Sequence, residues 1–72
     1  MEKEFGILAD QRPKVTLVGA DGNIFNLMGI AARALRKAGV GKEKIDEMLE
    51  RVASASSYDE ALVVLMDYVE AH

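Results

Sequence analysis

The chain has 72 residues, half of them hydrophobic and 29% charged, with a net charge of −3 and no cysteine. That mixture belongs to a globular chain rather than a disordered one, and the length allows a single small core over residues 1–72. The absence of cysteine excludes a disulfide framework and any thiolate metal site. The apolar patch that follows the N-terminal charges is too short for a signal sequence, and ALVVLM at 61–66 falls far short of the ~20 residues of a membrane helix. The sequence therefore predicts a cytoplasmic chain without membrane association.

In chain order, KEFGIL places Phe5 and Ile7 on one face of a short extended segment, and ADQRP then turns the chain. Residues 1–12 either fray or add this strand. Val15 to Val18 alternate as a β-branched strand, bounded by Pro13 and Gly19. The expected fold is α+β: a short N-terminal β-hairpin, or a single strand, packed with three α-helices.

The first helix spans Ile24 to Ala38, with apolar residues at 24, 27, 28, 31, 34, 35 and 38, and Phe25, Ile30 and Ala32 widening the buried stripe. Gly39 stands where a left-handed cap belongs, and Arg33, Arg36 and Lys37 occupy the last turns, where cations suit the helix dipole. Gly29 in the interior costs about 1 kcal/mol relative to alanine, which predicts the close approach of another backbone. A second, amphipathic helix runs from Lys42 to Ala53 with Ile45, Met48, Leu49 and Val52 inward and Glu43, Asp46, Glu47, Glu50 and Arg51 mostly outward. Ser57 and Glu60 form a capping box for a third helix reaching about Glu70, whose buried stripe is Ala61, Leu62, Leu65, Met66 and Val69, widened by Val63 and Val64.

Charge is segregated along the chain. Residues 1–23 hold three bases and four acids, 33–44 five bases and one acid, and 46–72 one base and seven acids. An uncovered sheet edge would be satisfied by strand pairing with a second copy, so a homodimer is expected, or else a protein partner.

Candidate chemistry centres on GADGN at 19–23. Gly19 and Gly22 permit positive φ, and the N–H groups opening the first helix point toward an anion, so Gly19, Asp21, Gly22 and Asn23 are candidate ligands for a small phosphorylated molecule. Against this, the segment lacks both the third glycine of a dinucleotide fingerprint and the Gly-Lys-Ser/Thr of a P-loop, and Asp21 repels phosphate. The competing reading is a turn at Asp21–Gly22 with Asn23 capping the helix. A calcium loop at Asp21 and Asn23 fails because Phe25 occupies the next ligand position.

Arg33, Arg36, Lys37, Lys42 and Lys44 offer a nucleic-acid surface, and ALRKAGVGKEKIDEML loosely follows a helix-turn-helix. Leu35 stands where that motif needs a small residue, and Asp46, Glu47 and Glu50 would repel phosphates, so nucleic acid is disfavoured. His72, the only histidine, ends the chain, and no nucleophile has an activating partner, so no enzyme activity, cofactor or metal is expected. Tyr58 and Tyr68 read as core rim, and Met28, Met48 and Met66 as packing.

Val15, Leu17, Gly19, Asp21, Gly22, Asn23 and Phe25, then Ala34 to Gly39, then Tyr58, Asp59, Leu62, Met66, Tyr68 and Val69 follow V-x-L-x-G-x-D-G-N-x-F, A-L-R-K-A-G and Y-D-x-x-L-x-x-x-M-x-[YW]-V. In these patterns residues 14–70 resemble a group of small bacterial and phage proteins of unassigned function. The resemblance implies no activity, and the N-terminal dozen residues depart from the group's shorter form. The leading functional expectation is a noncatalytic, self-associating interaction module.

Overall fold

The computed structural model describes residues 5–16 and 22–71. Their order is a 3-10 turn at Ala9–Gln11, β1 (Lys14–Val15), α1 (Ile24–Lys37), α2 (Lys42–Ala53), α3 (Tyr58–Met66) and β2 (Glu70–Ala71). This is a small α+β fold: three helices that pack on one another, with a two-stranded sheet joined to α1 through β1.

The sheet is not a hairpin. Phe5 and Ile7 lie outside any strand, ADQ forms the 3-10 turn, and β1 pairs in parallel with β2, Lys14 opposite Glu70 and Val15 opposite Ala71. Parallel strands need a long crossover, here all three helices, so the single-strand form of the N-terminal expectation holds and its partner comes from the other end of the chain. The joining continues beyond the strands: Ile7 N–H donates to the Asp67 carbonyl at 2.8 Å and Glu70 N–H to that of Pro13 at 2.8 Å.

Both ends of α1 follow their local chemistry. Asn23 Oδ1 accepts from the Phe25 N–H at 2.9 Å. Gly39 at φ +83° closes a Schellman motif, its N–H donating to Arg36 and that of Val40 to Leu35. α2 has the expected bounds. α3 opens on Ser57, whose hydroxyl accepts from the Glu60 N–H at 3.1 Å, while the Glu60 carboxylate reaches back to Ser56 rather than to Ser57.

α3 stops at Met66, short of the expected Glu70. There the N–H groups of Asp67 and Tyr68 turn to the carbonyls three residues back. This tighter turn swings Tyr68 and Val69 into the core and delivers Glu70 to β1.

The core joins Leu27, Ala31 and Leu35 of α1, Ile45, Met48 and Val52 of α2, Ala61, Val64 and Leu65 of α3, and Val15, Tyr68 and Val69. Three large apolar residues expected inside lie outside instead: Phe25 is 77% exposed, Val63 57% and Met66 48%. Gly29 also departs from expectation, because a Cβ built on it meets nothing within 4 Å. It lies on the exposed face of α1, and among the described residues no other backbone approaches it.

Candidate functional site

Of the GADGN residues, Gly19 and Asp21 lie outside the described residues, as do Leu17, Val18 and His72. Gly22 does not use positive φ; among the described residues only Gly6 and Gly39 do. The Gly22 carbonyl accepts the Tyr58 hydroxyl at 2.5 Å, tying the start of α1 to the start of α3. With Asn23 engaged in the cap, the described part of the turn performs two structural contacts. The bases of α1 stand at its opposite end.

A dense polar cluster forms around Glu47, and the sequence does not reveal it. Residues 5–7 cross α2 beside the turn after α3. Glu47, expected among solvated acids, is only 12% exposed and accepts from Tyr68 Oη at 2.5 Å, from the Gly6 N–H at 3.2 Å and from Lys44 Nζ at 3.4 Å. Arg51 donates to Tyr68 Oη at 3.3 Å, pairs with Asp67 at 3.1 Å, and lies over the Phe5 ring at 4.8 Å. Burial by itself would raise the Glu47 pKa, but the hydrogen bonds from Tyr68, Gly6 and Lys44 and the Lys44 charge outweigh it and hold the carboxyl below 4.5. Burial raises the Tyr68 phenol, so the neutral hydroxyl donates to Glu47 and accepts from Arg51.

Each member of this cluster answers another. Among the described residues no buried side-chain nitrogen or oxygen lacks a partner. A surface groove beside Phe5 is lined by Lys44, Glu47, Glu50 and Arg51, whose charges are mixed in sign. The arrangement clamps the N-terminal segment.

The outward helix faces contrast with it. α1 contains no acid; Phe25, Gly29, Arg33, Arg36 and Lys37 share its exposed arc. α3 contains no base; Asp59, Glu60, Val63 and Met66 share its exposed arc. Among the described residues, Arg33, Arg36, Lys37 and Asp59 enter no ion pair. Of the five bases proposed for nucleic acid, Lys44 is turned to Glu47, and Lys42 opens α2, whose exposed row is Glu43, Asp46 and Glu50.

Among the described residues no group of three or more His, Asp or Glu is placed to hold a metal ion, and no helix is long and apolar enough to cross a membrane. No family model, curated protein or solved structure matches the chain.

Proposed function

We propose that the chain is a small noncatalytic interaction module that associates with itself through its helices. The observation that carries this reading is the placement of Phe25, Val63 and Met66 on outward faces beside charges of opposite sign that enter no ion pair among the described residues. Isolated exposed apolar residues need no explanation, but large ones spaced along two helix faces mark a contact surface. The strand-to-strand association expected from the sequence loses support, because each described strand is two residues long and offers little ladder to a second copy. Helix faces take its place.

A second reading, nucleic-acid binding, draws on Arg33, Arg36, Lys37 and Lys42, which are exposed and enter no ion pair among the described residues. The acidic row on α2 opposes it, and four phosphate contacts would give a salt slope of only about −3.6. A small phosphorylated ligand at Gly19, Asp21, Gly22 and Asn23 is the third reading, weakened by the cap and the Tyr58 contact that already engage Asn23 and Gly22.

Sedimentation equilibrium over a range of protein concentration tests the leading reading. Average mass should rise above 7.9 kDa with concentration and stay raised at high salt, since apolar contact survives screening. A mass fixed at the monomer throughout would reject it.

A further inference from the structure

We infer that the outward face of α1 docks antiparallel onto the outward face of α3 of a second copy, with Val63 seated on Gly29. The inference rests on the self-association reading and names its surface. Along α1, Phe25, Gly29 and Arg33 follow one another at one-turn spacing on the exposed arc. Along α3, Asp59, Val63 and Met66 do the same. Read in opposite directions, the two rows match in order: Phe25 against Met66, Gly29 against Val63, Arg33 against Asp59.

The lengths agree as well. At 1.5 Å per residue, Phe25 to Arg33 spans about 12 Å and Asp59 to Met66 about 10.5 Å. Each pairing is chemically suited: a thioether against an aromatic ring, a β-branched knob in the gap over a glycine, a guanidinium against a carboxylate. Antiparallel helices also oppose their dipoles favourably. Gly29 then has a use that the isolated chain does not show, because its open Cβ position is where a neighbouring helix can approach.

α2 is the other acidic helix, yet none of the large exposed apolar side chains lies on it, so it offers Phe25 no seat. The contact joins two different faces, so each copy brings one of each. Association either closes reciprocally or continues head to tail.

Three variants test the contact, read by sedimentation with helical circular dichroism as the folding control. Gly29→Leu fills open space and should leave the fold intact while weakening association more than about tenfold. Arg33→Glu and Asp59→Lys should each weaken it by a similar factor through like-charge contact, and an equimolar mixture of the two should regain the wild-type mass. Association of the wild type that all three variants leave unchanged would overturn this pairing while sparing self-association. Weakening by both charge variants without recovery on mixing would also overturn it. A wild type that stays monomeric would reject the pairing and the reading beneath it together. If random duplex DNA shifts the Phe25 to Lys37 amides of such a monomer, the α1 face belongs to nucleic acid.

Discussion

Two regions of the molecule treat charge in opposite ways. Where residues 5–7 cross α2 and the turn after α3, Glu47, Arg51, Asp67 and Tyr68 satisfy one another. On the outward faces of α1 and α3, Arg33, Arg36, Lys37 and Asp59 have no partner within the described chain, and large apolar side chains stand beside them. A satisfied cluster that ties two distant chain segments together belongs to folding, and the face with exposed apolar content is the one proposed above for contact with a second copy. Substitutions should therefore separate the two regions: those in the first should cost stability, and those in the second should cost association.

The largest effect is expected at Tyr68, which is wholly buried and bonded to both Glu47 and Arg51. Tyr68→Ala should lower unfolding free energy by about 3–5 kcal/mol, a large share of what a domain of this size possesses. Tyr68→Phe, which keeps the ring and removes only the hydroxyl, should cost about 1–3 kcal/mol by stranding Glu47. Urea unfolding measures both; no loss on Tyr68→Phe would mean that the ring alone matters, and equal losses that the hydroxyl alone does.

Next comes Gly6. It sits at φ +85°, and a Cβ there would stand 2.7 Å from the Asp67 carbonyl oxygen, a backbone atom that cannot rotate away. Gly6→Ala should cost about 1–3 kcal/mol, through strain and through loss of the Ile7 to Asp67 bond. The same substitution at Gly29 should raise stability by up to about 1 kcal/mol, because that site is helical and open. Opposite signs at two glycines would express the difference between the regions directly.

The Glu47 carboxyl supplies the pH test. Its pKa in the folded chain lies below the ordinary 4.5, so the folded state holds the charged form more strongly than the unfolded state does. Its contribution to stability is complete above pH 4.5 and is lost as the pH falls through the folded value. Glu47→Gln should be less stable than wild type at neutral pH and should show a shallower decline on acidification. An unchanged acid limb in urea titrations would place the pH dependence elsewhere.

The sequence made the helices legible wherever a period was closed by a local stop. Asn23 and Gly39 bracket α1 by their own hydrogen-bonding and φ preferences, and Ser54 follows α2. α3 was read too long because ALVVLM runs into DYV with no glycine or proline between, and only tertiary packing of Tyr68 and Val69 shows where it turns. The alternation from Val15 signals a strand, but its parallel pairing with Glu70–Ala71 is not legible, since two residues near the far end of the chain carry no pattern that points to it. The sequence signals Glu47 only as a solvated acid for a related reason: its partners Gly6 and Tyr68 come from other elements. α1 and α3 are apolar over wide arcs, so hydrophobicity assigned Phe25, Val63 and Met66 to the core, and only the structure shows that they exceed what the core can cover.

The smallest effect on stability should therefore come from one of the largest side chains. Phe25 is 77% exposed, although its N–H joins the Asn23 cap. Phe25→Ser leaves that backbone bond in place and removes a ring that the core does not cover. Unfolding free energy should change by no more than about 0.5 kcal/mol, as for surface positions generally. Self-association should weaken measurably in the same protein, because the ring would leave Met66 of the second copy facing water. Stability and association thus move independently at Phe25, whereas at Tyr68 any loss of association would follow from unfolding. A Phe25→Ser chain that loses several kcal/mol would return this residue to the core and remove the apolar half of the α1 face.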